Sequence, residues 1–397
     1  MVPFRPASSQ LDAVIAEGRM ERTHTDGDLS TELWLSLHQL AEVEEVGVAL
    51  LKKQNPARET LTAEALSSEW RELRSYIRQA ENFYEGASVL HWTSSPLNYY
   101  YSFLNLAKAS CLLADKFKPK AAVDSTQAES EATPRRVRHG LFEKIIIGDP
   151  DRWTVRVDAA LEVFSLYYSL SLGLPIPANT VLEVHDLLGY SLPIGWQLRQ
   201  SGYAERVRAF SCRWSVLLNA TETWDLLGMP RAVPVAELPS AFVEQYEEVD
   251  PTTAKEPARV LFGCRAIEAG EMRFFQRRLP YPLDSNGQFH GGVLLQDFKA
   301  ALPHGAFPNL SDGKHQFVLC LPCPVVGGIV PMNTELATYA CWFFLSSLVR
   351  YHPDYMESIA KSNDAWLIES FVKSSPLDIL RALTARILGY SLVMLRT

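Results

Sequence analysis

Residues Pro331 to Pro353 read PMNTELATYACWFFLSSLVRYHP. From Leu336 to Val349 nearly every side chain is apolar or small, so a helix here is greasy on most sides and is expected to be enclosed by its neighbours. Asn333 is placed to cap it, with Glu335 in a first turn whose partial positive charge favours a carboxylate. At about 100° per residue, Glu335, Thr338, Tyr339, Trp342, Ser346 and Arg350 fall on one face. Arg350, Tyr351 and His352 then crowd ahead of Pro353, setting a fixed cation beside a titratable imidazole. The apolar run covers 14 residues, short of the roughly 20 that a bilayer demands, so it reads as a core helix.

An enclosed helix needs partners, and the chain before it offers several. Leu33, Leu37, Leu40, Val43, Val48 and Leu51 predict a long amphipathic helix from Ser30 to Asn55, stopped by Pro56. Thr62 can cap a second, in which Trp70, Leu73, Ile77, Ala80 and Tyr84 recur at helical spacing. A third starts at Ser95 with Pro96 in its first turn, where a missing N–H costs nothing. It is mostly apolar but carries one narrow polar line, Asn98, Tyr101, Ser102, Asn105 and Lys108, either solvent-facing or turned inward toward another polar face.

After that helix the chain turns polar from Lys116 to Thr133, and Arg135, Arg136, Arg138 and His139 follow as a dense basic knot. Guanidinium groups pair with phosphate oxygens, so the knot is a candidate anion site; its plainer reading is a solvated loop. Gly140 to Val157 predicts a hairpin about a Gly148-Asp149-Pro150-Asp151 turn. Strand character then recurs at Arg206 to Asn219, Arg259 to Ile267, Glu271 to Leu279 and His315 to Leu321, with a helix at Pro239 to Glu248. Two further helices, Asp364 to Val372 and Pro376 to Leu395, close the chain.

The architecture expected is α+β and predominantly α-helical, with N- and C-terminal helices packed together around an inserted mixed β-containing region. The divisions are a polar lead-in at 1–29, helices at 30–140, the mixed region at 141–330 and helices at 331–397.

Composition narrows the function classes. In 397 residues, 38 basic against 46 acidic side chains give a net charge of −8, which disfavours a chain that coats nucleic acid non-specifically. The first residues lack a signal peptide's apolar run, so a cytoplasmic protein without a membrane partner is expected. Six scattered cysteines predict thiols, not a disulfide scaffold. Cys320 and Cys323 have redox-pair spacing, but Pro324 and Gly327-Gly328 follow where a thioredoxin-like helix would begin. No phosphate-cradling glycine motif or nucleophile elbow occurs, and neither a metal nor a cofactor is expected. His185-Asp186 reads as a surface pair.

Three stretches together resemble the YaaC-like proteins of bacteria: SPLNYYYSFLNLAKA at Ser95 to Ala109, RHGLF at Arg138 to Phe142, and ELATYACWFFLSSLVRYHPDY at Glu335 to Tyr355. The tyrosine-rich helix followed by a basic turn is also similar in outline to HEPN domains, many of them ribonucleases with an Arg-x₄₋₆-His motif. Here Arg135 and His139 have three residues between them, and Arg350 and His352 have one. Two functions follow as expectations. One is a binding or regulatory protein with a homo-oligomeric or protein partner. The other is a metal-independent enzyme acting on RNA or a nucleotide, with Arg350, His352, Arg138 and His139 as clamp and acid/base. Asn98, Tyr101, Asn105, Lys108, Arg135 and Arg136 would then hold the substrate.

Overall fold

The protein was analysed as a computed structural model, which describes residues 20–23, 29–115, 139–145, 153–158, 162–191, 194–201, 207–218, 222–250, 271–282, 301–302, 305–306, 316–322, 330, 332–389 and 391–394. Strand β1 (Met20–Thr23) is followed by helices α1 (Leu29–Glu42), α2 (Glu44–Gln54), α3 (Ala63–Ser88) and α4 (Ser95–Leu113), with a 3₁₀ turn at Pro56–Thr60. Strands β2 (Leu141–Ile145) and β3 (Trp153–Val157), helix α5 (Val163–Leu172), strand β4 (Val181–Glu183) and helices α6 (Val184–Leu188) and α7 (Gly195–Gln200) come next. Then come β5 (Val207–Leu218), β6 (Glu222–Pro230), α8 (Ser240–Gln245), β7 (Tyr246–Val249), β8 (Met272–Arg277), β9 (Tyr281–Pro282), β10 (Gly305–Ala306) and β11 (Gln316–Pro322). The chain finishes with α9 (Thr334–Tyr351), α10 (Pro353–Ala360), α11 (Ala365–Leu388) and β12 (Ser391–Met394).

These elements form two compact units. The helical unit comprises Asp26–Arg206 and Glu335–Ser391; the sheet unit comprises Met1–Thr25, Val207–Thr334 and Leu392–Thr397. The whole is predominantly helical α+β, with early and late helices sharing one core and most of the strands lying between them in sequence.

In the helical unit the apolar spacing is cashed out as burial. Leu33, Leu37 and Leu40 of α1 and Leu73, Ile77 and Ala80 of α3 face inward, and Thr62 caps α3 by accepting the Ala65 N–H at 3.2 Å. Every residue of α9 from Leu336 to Leu348 is buried, so this helix is the enclosed one that its sequence demands. It meets α4 through rings: Tyr99 and Phe103 pack on Trp342 at 5.1 and 5.7 Å between centroids, and Tyr100 on Phe343 at 5.5 Å. On its far side Trp342 meets Phe371 of α11 at 5.2 Å.

Local rules mislead at two places. The run from Ser30 to Asn55 is two helices, because Val43 adopts an extended backbone and a new helix starts on Glu44 and Glu45, whose carboxylates suit its first turn. Conversely, Pro376 does not separate two helices: α11 runs through it with Pro376 buried. Beside it, the Ser374 and Ser375 hydroxyls bond back to the carbonyls of Ser370 and Phe371 at 2.6 and 2.8 Å.

The hairpin expected at Gly140 to Val157 is present as β2 and β3 in antiparallel register, Leu141 opposite Val157, with β4 added by pairing Val155 with Leu182. In the sheet unit a seven-stranded antiparallel sheet runs β10-β11-β5-β6-β8-β7, with β9 paired to β6. Its core gathers Leu227, Met229, Phe242, Phe275, Leu319 and Leu321. The Tyr246 hydroxyl donates to buried Asp225 at 2.5 Å, which together with burial holds the phenol far above its ordinary range. Among the described residues no helix is long and apolar enough to cross a membrane.

Candidate functional site

The C-terminal end of α9 is where the candidate residues gather. Arg350 is exposed, and its Nη1 donates to the Tyr101 hydroxyl of α4 at 2.5 Å. This bond is a polar contact between the two helices; Tyr99 and Tyr100 add aromatic ones, and Ser346 spends its hydroxyl on the carbonyl of Phe343 in its own helix. Tyr101 is held in turn by stacking on Phe83 of α3 at 5.3 Å. The guanidinium lies 5.0 Å from the ring of Tyr351, itself 57% exposed, and among the described residues no carboxylate pairs with it.

His139 enters from the segment just before β2. Gly140, at φ +81°, makes the turn that a side chain could not, since a Cβ there would stand 2.7 Å from the Cβ of Glu162. The imidazole packs against Phe343 at 5.2 Å between ring centres, and its Nδ1 accepts the Leu141 N–H at 3.4 Å. Burial lowers its pKa, and the charges of Arg350 and Lys108 push the same way, while the carboxylate of Glu143 opposes them. The ring is therefore neutral at physiological pH, with its proton on Nε2. Those electrostatic contributions also show that Lys108, His139, Glu143 and Arg350 share one neighbourhood. Lys108 lies 5.8 Å from the ring of Tyr76, whose hydroxyl donates to Glu72 at 2.6 Å. His352 stands 3.9 Å from Glu143.

The other candidates are placed differently. Asn105 is buried and returns its amide to the Tyr101 carbonyl at 2.9 Å, and Asn98 lies beside Gly86 of α3. Arg135, Arg136 and Arg138 lie outside the described residues, as do Cys323 and the expected strand at 259–267. His185 is not on the surface: it is 3% exposed and stacks on Trp153 at 4.8 Å, its ring filling the core between β3 and α6. Among the described residues no group of three or more His, Cys, Asp or Glu side chains is arranged to hold a metal ion. Glu143 was the participant that sequence reading passed over. The only signal for it is its place in the hairpin, four residues after His139.

Chemically, the described residues of the cluster offer an exposed guanidinium, an ammonium, a phenol and a neutral imidazole donor, with the carboxylate of Glu143 in the same neighbourhood. Such a set can take an oxyanion by charge-assisted hydrogen bonds.

The model of the YaaC-like protein family matches residues 44–133 and 298–387. The first stretch carries Tyr101 and Lys108 on α4, and the second carries Arg350 and His352. No curated protein and no solved structure matches the chain. The two matched stretches supply the helices that build the core around α9 and one side of the cationic cluster, and through them the chain is similar to the YaaC-like family.

Proposed function

We propose that this chain is a binding protein that recognises a phosphate-bearing ligand, a nucleotide or a segment of RNA, at the cluster of Tyr101, Lys108, His139 and Arg350. The observation that carries the reading is Arg350: its guanidinium is exposed, is oriented by a phenol and has no carboxylate partner among the described residues, so its charge stays available to an anion. Binding by fluorescence polarisation in the presence of a chelator, with labelled single-stranded RNA and labelled ATP, tests it. Arg350→Ala should weaken binding about tenfold, the worth of one charge-assisted hydrogen bond. Equal affinity in wild type and in an Arg350→Ala, Lys108→Ala double variant would refute the reading.

One observation favours catalysis as a second reading: burial keeps His139 neutral beside a cation, the state in which an imidazole can exchange protons near pH 7. With Nδ1 accepting from Leu141, the neutral ring presents a donor and not a base, which is why binding is preferred. Running the same RNA on a gel separates the two. Metal-independent cutting that disappears in His139→Ala would favour the enzyme.

A further inference from the structure

On the opposite flank of α4 from Tyr101, the helical unit has a groove of about 540 Å³ between α1, α3, α4 and α11. Its volume is that of a small-molecule site. Trp34, Tyr84 and Tyr99 line it as a linked aromatic wall, Trp34 edge-on to Tyr84 at 5.5 Å and Tyr84 edge-on to Tyr99 at 5.3 Å. The polar side is acidic. Glu81 and Glu85 line the groove, among the described residues no Lys or Arg does, and the imidazole of His38 is hydrogen-bonded to Glu81 at 2.5 Å.

Two further facts bear on what the groove would take. Trp34 is 6% exposed, and its indole N–H has no hydrogen-bond partner among the described residues, although a buried donor left unmade costs stability. The phenol of Tyr99 is pushed up to about 12 by burial, so the aromatic wall carries no negative charge of its own at neutral pH. Aromatic faces attract a cation through their quadrupole, and carboxylates beside them add direct charge attraction. An anion would meet two carboxylates here, and a neutral apolar molecule would leave them unanswered. Of its lining residues, His38, Glu81 and Glu85 do not form a set able to hold a metal ion.

From this geometry we infer that the groove binds an organic ammonium ion with an apolar body, its cation against Tyr84, Tyr99 and the Glu81–Glu85 side. This site is separate from the Arg350 cluster and of opposite charge preference.

Matched probes test it, each pair keeping shape and removing charge: tryptamine against tryptophol, and choline against 3,3-dimethylbutan-1-ol. Isothermal titration of the full chain should show the charged member of a pair binding about tenfold tighter, as cation–π and carboxylate contacts together allow. Glu85→Gln, at an exposed position, should reduce that preference severalfold and leave the neutral twin unchanged, with Trp34→Phe weakening both while keeping the ring. Equal affinity within both pairs, no binding of any probe, or a charge preference that survives Glu81→Gln and Glu85→Gln would each overturn the inference. Circular dichroism of every variant separates lost binding from lost fold.

Discussion

His139 links position to chemistry most directly, because the surroundings that bring it to Arg350 also set its charge. Its pKa in the folded chain lies below the ordinary 6.5, since burial and two nearby cations disfavour the imidazolium. The consequence for stability has a definite sign. As pH falls through the unfolded value, the unfolded chain takes up a proton that the native ring still resists, so the native state loses ground. Stability measured by urea midpoints should therefore drop between about pH 7.5 and about pH 5.5, and His139→Gln should make that part of the curve flatter. A variant with an unchanged pH slope would mean that His139 is as free to protonate in the folded chain as outside it. An anion bound at Arg350 would reverse the local field, so affinity for a phosphate-bearing ligand should rise over the same fall in pH. Polarisation titrations at the two pH values check this, and affinity falling toward acid would contradict it.

At the scale of elements, a buried arginine and a partly buried one hold helix ends that apolar packing alone would leave unsatisfied. Arg58, 3% exposed in the 3₁₀ turn, donates to the carbonyls of Leu112 and Leu113 at 2.7 Å each and of Leu51 at 3.2 Å. Its Nε pairs with Glu69 at 2.7 Å, so one guanidinium ties the last turns of α2 and α4 to α3. Arg386 does the same elsewhere, joining α11 to Glu335 of α9 at 2.9 Å and to Ser171 at 2.9 Å. Arg58→Ala removes donors from three helix-end carbonyls and strands a carboxylate, and should cost about 3 kcal/mol or more. Arg58→Lys should recover only part, because an ammonium cannot span the fork. Chemical denaturation reads both, and a loss under about 1 kcal/mol for the alanine variant would show that water replaces the guanidinium. Neither clamp was legible beforehand. Arg58 follows a helix-stopping proline and looks like a solvated turn residue; its burial depends on α4, more than fifty positions on. What local spacing does reveal is the set of helices and the hairpin, because apolar periodicity and turn residues are properties of neighbours in sequence. It fails at Val43 and Pro376, where the break and the continuation follow from packing. Of the candidate residues, Arg350, Tyr101 and Lys108 stand out in the sequence as polar groups on otherwise apolar helices and His139 as part of a basic run, whereas the approach of Glu143 to His352 arises only in three dimensions.

For the whole molecule, the decisive feature is that two hydrophobic cores are built from different parts of the chain. One packs Leu33, Phe103, Trp342 and Leu367 within the helical unit, and the other packs Leu227, Phe242, Phe275 and Leu319 within the sheet unit. The helical core recruits segments from both ends of the sequence, so closing it requires the long intervening stretch to be looped out, an entropic cost that grows only slowly with loop length. A sheet with its own interior reduces the disorder of that stretch, and each unit then has the makings of a separate cooperative transition. Scanning calorimetry should accordingly show a van't Hoff enthalpy well below the calorimetric one. Phe242→Ala, opening a hole in the sheet core, should lower the stability of one transition by about 3 kcal/mol and leave the other in place. Leu367→Ala should do the converse, and far-UV circular dichroism at the helix band identifies which is which because helices dominate one unit. If both variants shift a single transition by equal amounts, the two cores unfold as one, and the stability of the Arg350 cluster is then inseparable from that of the sheet.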